Sequence, residues 1–99
     1  MNNPIGNLHK VFDSRVRLGI MSALMVNDHV NFNELKEVLQ ITDGNLASHM
    51  KALEENKMIK VQKGFIGRKT NTTYSITKNG EKLFKMHLDA LEQMIRMTK

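Results

Sequence analysis

Apolar residues recur at helical spacing in several stretches of the chain. Leu46, Met50 and Leu53 stand at positions i, i+4 and i+7, so they share one face of a helix. A similar stripe occurs in residues 16–24, and Pro4 suits the first turn of a short helix that runs to about residue 12. The later helices are each expected to begin after a capping side chain. The expected caps are Asp13 or Ser14, then Asn33, Thr42 and Thr77.

Two of these predicted helices are separated by only about three residues. The first runs from residue 34 to 39 and carries acidic residues in its first turn, which complements the helix dipole. After residues 40–42 the second helix runs from residue 43 to 55. So short a connection is typical of a helix-turn-helix pair, which we place at about residues 33–56.

The pattern changes to that of strands after the second helix of the pair. Ile59 and Val61 alternate with polar residues, which predicts a half-buried strand over residues 58–63. Residues 64–71 contain two glycines and two adjacent cations, and they predict a flexible loop. Four of the five residues 72–76 are β-branched or aromatic, which predicts the returning strand. A β-hairpin is therefore expected at about residues 58–76.

The C-terminal segment, residues 78–98, predicts a long helix with two apolar stripes. One stripe contains Phe84 and Leu88, and the other contains Leu83 and Ala90. A single stripe suffices to bury one face of a helix, so the second predicts contact with another subunit. The alternative is a wide core within one chain, and the pattern leaves open which stripe would face a partner. The candidate dimerisation residues are Leu83, Phe84, Leu88, Leu91, Met94 and Ile95.

Length and composition narrow the classes of protein that remain. Ninety-nine residues predict one domain over positions 1–99. The chain has no cysteine, which excludes disulfides, thiolate metal sites and cysteine nucleophiles. Residues 1–6 lack the features of a signal peptide, and no apolar run is long enough to span a membrane. We therefore expect a cytoplasmic protein with no membrane association.

The positive charge is concentrated in the middle of the chain. The net charge is +5, and residues 45–79 contain seven basic and two acidic side chains. A positive field on one segment suits a polyanion such as nucleic acid. A solvated basic surface without a ligand explains the charge alone equally well.

The order of elements, α-α-α-α-β-β-α, predicts a mainly α protein with a small β-hairpin. With the residues that carry it, this order resembles the winged helix-turn-helix regulators of the MarR and ArsR type. Residues 17–24 match an Arg-x-x-Ile-x-x-x-Leu helix, and residues 74–80 resemble the Tyr-x-Leu-Thr-x-x-Gly junction between wing and last helix. Residues 32–36 and 42–54 are similar to the two helix-turn-helix elements. The paired cysteines of ArsR-type metal sensors are missing, and the chain is shorter than a typical MarR protein.

The resemblance implies that the second helix of the pair enters the DNA major groove, that the hairpin forms the wing and that the outer helices make a dimer. Asn45, Ser48 and His49 are polar groups suited to base edges. Thr42 and Gly44 lie where a helix N-terminus can bind phosphate, and an arginine on the wing can enter the minor groove. The candidate DNA-binding residues are Thr42, Gly44, Asn45, Ser48, His49, Lys51, Lys60, Lys63, Arg68 and Lys69.

These features favour a sequence-specific DNA-binding transcriptional regulator, a repressor that binds a palindromic operator as a homodimer. The alternative is a winged-helix protein–protein adaptor that does not bind DNA. RNA binding is disfavoured because aromatic stacking platforms are missing. The four histidines show no paired metal-ligand spacing and no catalytic motif is visible, so we expect no metal, no cofactor and no enzymatic activity. The sequence leaves open whether a small-molecule effector exists.

Overall fold

In residues 4–98, which the computed structural model describes, four α-helices and one small sheet follow two short 3-10 helices. Residues 1–3 and Lys99 lie outside the described range. The predicted single domain over positions 1–99 and the prediction that no signal peptide is present both depend in part on residues 1–3. The 3-10 helices are Pro4–Asn7 and Lys10–Phe12, and the other elements are α1 (Arg15–Val26), β1 (Val30–Asn31), α2 (Phe32–Leu39), α3 (Asp43–Glu55), β2 (Ile59–Ile66), β3 (Lys69–Ile76) and α4 (Lys78–Met97).

Three helices begin at capping residues that the sequence predicts. The side-chain oxygens of Ser14, Thr42 and Thr77 each accept a hydrogen bond from the backbone N–H three residues further on. Each bond satisfies one of the donors that a helix start leaves free. These caps confirm the predicted starts of α1, α3 and α4.

The predicted cap of α2 is wrong by two residues. Asn31, not Asn33, precedes the helix, and its side-chain oxygen accepts from the Glu34 N–H at 2.8 Å. The Glu34 carboxylate accepts in return from the Asn31 N–H at 3.5 Å, which completes a capping box. α2 ends at Leu39, and the residue that follows it, Gln40, has a left-handed φ of 53°. The three residues 40–42 connect it to α3, as the sequence predicts.

The predicted N-terminal helix is interrupted at His9. The ring Nδ1 of His9 accepts a hydrogen bond from the Val11 N–H at 3.1 Å. The backbone N–H of His9 donates to Nδ1 of His87 in α4, also at 3.1 Å. A continuous α-helix would pair both N–H groups with carbonyls four residues earlier. The segment therefore forms two separate 3-10 turns.

The two strands of the hairpin are longer than predicted, and they stay paired up to its turn. β2 and β3 pair antiparallel from Ile59 opposite Ile76 to Ile66 opposite Lys69, so the predicted loop over residues 64–71 is mostly strand. Only Gly67 and Arg68 form the turn, and Gly67 has a φ of +63°. A glycine at the first position of a two-residue turn matches the twist of the strands, which explains why the ladder continues to the tip. β1 pairs with the other side of β3, giving the sheet order β1-β3-β2.

One hydrophobic core joins the helices to the base of the hairpin. Leu46, Met50 and Leu53 of α3 are all buried, which confirms the predicted inner stripe. In α1 the buried residues are Ile20, Leu24 and Met21, a methionine outside the predicted stripe. Because α3 buries this stripe, its opposite face is held towards solvent.

Candidate nucleic-acid interface

The outward face of α3 carries the polar residues predicted to read DNA. Asn45, Ser48 and Lys51 are exposed, whereas the neighbouring positions Leu46 and Met50 are buried. The core contacts therefore fix the rotation of α3 about its axis. This rotation leaves an amide, a hydroxyl and an ammonium group free to contact a ligand.

The N-terminus of α3 is open to solvent. Thr42 and Gly44 are exposed, and a Cβ placed on Gly44 would meet no atom within 4 Å. A ligand backbone can therefore approach the helix start closely. Asp43 would oppose an anion here, but its carboxylate lies 2.7 Å from the ammonium group of Lys36 in α2. The sequence analysis did not identify Lys36, which compensates this charge.

His49 is the one predicted base-reading residue that is half-buried. Its Nδ1 accepts a hydrogen bond from Nε of Arg17 in α1 at 3.0 Å, and a terminal nitrogen of Arg17 donates to the Val11 carbonyl at 3.3 Å. Burial, together with the Arg17 guanidinium, lowers the pKa of His49 below its ordinary value. The ring is therefore neutral at pH 7, and because Nδ1 accepts, Nε2 carries the proton.

Arg17 is a site residue that the sequence analysis missed. It lies 32 residues from His49 along the chain, and no local pattern signals their contact. By holding Nδ1 of His49, Arg17 leaves that ring able to act only as a hydrogen-bond donor at Nε2. In the major groove such a donor matches the acceptors of guanine or the O4 of thymine.

The two faces of the hairpin carry different cations. Val61 and Lys63 line a groove together with Lys51 of α3, so we call the side that continues through Phe65 the inner face. Lys60 and Lys69 occupy alternate positions and lie on the opposite, outer face. The candidate DNA-binding cations of the hairpin are thus divided between two surfaces, and Lys69 belongs to a strand rather than to the predicted loop.

Arg68 occupies the two-residue turn and is exposed at the far end of the hairpin. No described hydrogen bond or ion pair holds its guanidinium, since the ion pairs found in residues 4–98 involve other side chains. The side chain is thus available to a ligand. Its position matches the predicted cation at the tip.

Tyr74 forms the floor of the groove between α3 and the hairpin. It is buried, and its ring centroid lies 6.5 Å from that of Phe32. Burial, and to a smaller extent Glu54, raises the pKa of Tyr74, so the phenol stays protonated. Lys51, Lys63 and Glu54 line the same groove, so two cations outnumber one carboxylate there, and this balance suits an anionic ligand.

The predicted dimerisation residues of α4 are in different environments. Phe84 is only 1% exposed and packs against Phe12, with ring centroids 5.2 Å apart. Its own protomer encloses it, so its inclusion among the dimerisation residues is wrong. Leu88 and Ile95 are exposed, whereas the remaining three are half-buried: Leu83, Leu91 and Met94.

The part of the chain that the structure describes contains neither a metal-binding cluster nor a membrane-spanning helix. Within residues 4–98, no group of three or more His, Cys, Asp or Glu side chains is placed to hold a metal ion. No described helix combines the length and apolarity needed to cross a bilayer.

The fold and this surface together define a helix-turn-helix protein with a β-hairpin wing. The chain belongs to the winged helix DNA-binding domain family, whose model matches residues 16–95. It is 38% identical over 85 residues to an uncharacterized protein of Methanocaldococcus jannaschii, a match that covers 86% of this chain and 92% of the relative.

Solved structures give the same picture. A transcriptional regulator homologue from Pyrococcus horikoshii OT3 is 31% identical and has a TM-score of 0.85, with 99% of each chain covered. A putative MarR family regulator from Porphyromonas gingivalis W83 shares the fold, with a TM-score of 0.68 at 23% identity over 85% of this chain and 80% of that one. These comparisons confirm the predicted winged helix-turn-helix fold.

Proposed function

We propose that this protein is a transcriptional repressor that binds a specific double-stranded DNA sequence as a homodimer. The observation that carries the proposal is the groove that Lys51 of α3 and Lys63 of the hairpin line together, with Glu54 as an acidic neighbour. One duplex can contact both elements from the same side. The family and the regulator homologue from Pyrococcus horikoshii support the same function.

In the proposed complex α3 enters the major groove. The amide of Asn45 suits the bidentate pattern of adenine, Ser48 can donate or accept, and His49 donates through Nε2. Thr42 and Gly44 bring the helix N-terminus to a phosphate, as the helix dipole favours. The phosphate contacts set the register of the protein on the duplex, and the base contacts supply the sequence preference.

The homodimer is proposed from the second half of α4. Ile95 is 67% exposed, and Leu88 and Met97 are also exposed, so the helix presents apolar side chains that its own protomer does not cover. Two symmetric recognition helices would meet half-sites about one helical turn apart, which predicts a roughly palindromic operator. Occupation of such a site within a promoter would block transcription. On this proposal the protein works without enzymatic activity, in the cytoplasm where its DNA is.

The test of specificity is selection of bound fragments from random duplex DNA by the purified protein, followed by affinity measurements on the selected site. Asn45→Ala and Ser48→Ala should each weaken binding about 5- to 100-fold and relax the preference at one position. Lys82→Ala, on the exposed side of α4, is the control and should bind normally. Recovery of no preferred sequence would contradict the proposal.

The test of the phosphate contacts uses two lysines on opposite faces of the hairpin. Lys63→Ala should weaken binding to every duplex and reduce the slope of log affinity against log salt by about 1. Lys60→Ala removes the same charge from the outer face and should change the slope less. If neither the wild type nor the variants show a salt-dependent affinity for DNA, the adaptor function becomes the better account.

A further inference from the structure

The hairpin tip exposes two large apolar side chains among cations. Phe65 is 75% exposed and Ile66 is 68% exposed, although both lie at the end of a well-paired ladder. Lys63, Arg68 and Lys69 lie within three residues of one or the other along the chain. Large apolar side chains that are exposed together at a cationic protrusion need an explanation, because water is a poor environment for them and the fold does not require them.

The burial along β2 shows how far the tip stands from the core. On the inner face Ile59 is buried, Val61 is half-buried, and Lys63 and Phe65 are exposed. On the partner strand only Lys69 and Thr70 are exposed, whereas Asn71 and Thr72 are half-buried. The last two residue pairs, Phe65–Thr70 and Ile66–Lys69, are therefore exposed on both strands. Nothing in the described protomer covers this part of the hairpin, so its side chains are available to a ligand.

The two apolar side chains differ in where they point. Phe65 follows Lys63 on the inner face, towards the groove that α3 borders, and is paired with Thr70. Ile66 lies on the outer face, opposite Lys69. A duplex seated on α3 would meet the inner face. Phe65 is therefore positioned to contact such a duplex, and Ile66 is not.

We propose that Phe65 is an apolar wedge that inserts into the minor groove and partly unstacks one base step in each half-site. This inference rests on the proposed DNA binding and specifies what the wing does there. Proteins that insert Phe or Ile between base steps kink the duplex, and a planar ring between neighbouring cations suits this use. Arg68 and Lys63 would hold the phosphates on either side, so charge complementarity selects DNA as the occupant of the tip.

An apolar wedge also predicts a kind of sequence preference. Pyrimidine–purine steps, such as TA and CA, unstack most easily. The step that the wing covers should therefore be a flexible one, even though no side chain of the tip reads its base edges. Selected operators are expected to carry such a step beside the sequence that α3 contacts.

The experiment uses the full chain and a selected operator that contains 2-aminopurine at each step in turn. The wild type should raise the fluorescence at one step per half-site, because unstacking removes the quenching by neighbouring bases. Phe65→Ala should abolish this increase and weaken binding about 10-fold. Ile66→Ala, which removes a similarly exposed apolar side chain from the adjacent position, should retain both properties and is the matched control.

The outcomes separate this proposal from the function on which it rests. If the wild type binds DNA with a salt-dependent affinity that Arg68→Ala weakens, but Phe65→Ala behaves as the wild type does, only the wedge is overturned. If Phe65→Ala and Ile66→Ala cause equal losses, the tip acts as a general apolar patch and the wedge is again overturned. Loss of self-association, or of sedimentation with anionic lipid vesicles, in Phe65→Ala without a change in operator fluorescence would assign the side chain to another partner. If the wild type does not bind duplex DNA, the proposed function itself fails.

Discussion

The two halves of α4 have the same apolar spacing but different surroundings. Phe84 and Ile95 are eleven residues apart, which is three turns, so they lie on nearly the same side of the helix. Phe84 is buried against Phe12, whereas Ile95 is mostly exposed. α4 packs on the domain and on the 3-10 helix Pro4–Asn7, and its covered side still includes Ala90, which is 1% exposed. Ile95 lies outside that covered side. An apolar stripe therefore shows that a surface is to be covered, and the fold decides whether the same chain covers it.

The largest effect on the free energy of unfolding is expected from a change at Phe84, the buried residue of this pair. Phe84→Ala should lower the free energy of unfolding by about 3–5 kcal/mol, since it removes a large ring from a packed core and leaves a cavity. Ile95→Ala deletes an apolar side chain from the same side of the helix and should cost less than about 0.5 kcal/mol in dilute protein. Urea denaturation measures both. Equal losses would show that the two halves are packed alike.

Gly80, in the first turn of α4, gives the next largest effect. A Cβ at this position would collide with the backbone carbonyl of Met58, which a side-chain rotation cannot relieve. Gly80→Ala should therefore destabilise the fold by about 1–3 kcal/mol. Gly44→Ala is the matched control, because it also lies in the first turn of a helix but has open space around it. Thermal unfolding that left both variants at the wild-type midpoint would contradict this close contact.

The third effect depends on pH and concerns His87, which lies on the buried side of α4. Burial lowers the pKa of His87; the Asp13 carboxylate acts to raise it and His9 acts to lower it. Because the folded pKa is depressed, the folded chain binds fewer protons than the unfolded chain below about pH 6.5, the ordinary pKa of histidine. The stability that the neutral His87 ring contributes is therefore fully present above that pH, and it is lost as the pH is lowered through the folded pKa.

The free energy of unfolding should change with pH by up to about 1.4 kcal/mol per pH unit for each proton that the unfolded chain binds in excess. His49, whose pKa is also lowered, contributes in the same direction. His87→Gln should remove the contribution of His87 to this pH dependence, and the contribution of His49 should remain. Urea denaturation between pH 5 and pH 8, at intervals of one half unit, measures the difference. A wild-type stability that does not change across this range would contradict the buried neutral ring.

The smallest effect on the stability of the isolated protomer is expected from a change at the exposed residue Ile95 of α4. Ile95→Asp should change the unfolding free energy of the monomer by less than about 0.5 kcal/mol, but it should dissociate the proposed dimer. Gln93→Asp adds the same charge two residues away, on the other side of the helix, and should leave the dimer intact. Sedimentation over a range of protein concentrations distinguishes the two. A dimer that survived Ile95→Asp would place the interface elsewhere.

The sequence predicted best those features that depend on neighbours a few residues apart. The caps Ser14, Thr42 and Thr77 and the inner stripe of α3 follow from hydrogen bonds and spacing within one or two turns. The cap of α2, Asn31 rather than Asn33, is a local feature that the prediction missed. The other failures occurred where a distant partner decided the outcome. The bond from the His9 N–H to His87 spans 78 residues, and it contributes to the break in the predicted N-terminal helix.

The candidate site shows the same division. Exposure of Asn45 and Ser48 could be predicted, because the buried positions of α3 leave one face outward. The Arg17–His49 hydrogen bond could not, because nothing in residues 17 or 49 alone specifies that α1 and α3 meet there. The length of the hairpin was also missed, since glycine and polar residues near its tip are typical of loops until the partner strand is known.

By itself, the sequence determined the order of the four α-helices and the hairpin, the starts of α1, α3 and α4, and the concentration of cations in residues 45–79, because these depend on local hydrogen bonding, apolar periodicity and composition. Only the tertiary structure decided that Lys63 shares a groove with Lys51 while Lys60 does not, that Phe65 faces inward and Ile66 outward, and that Phe84 is covered while Ile95 is not. The reason is physical. Which side of an element faces solvent depends on what packs against it, and those contacts come from residues far away along the chain.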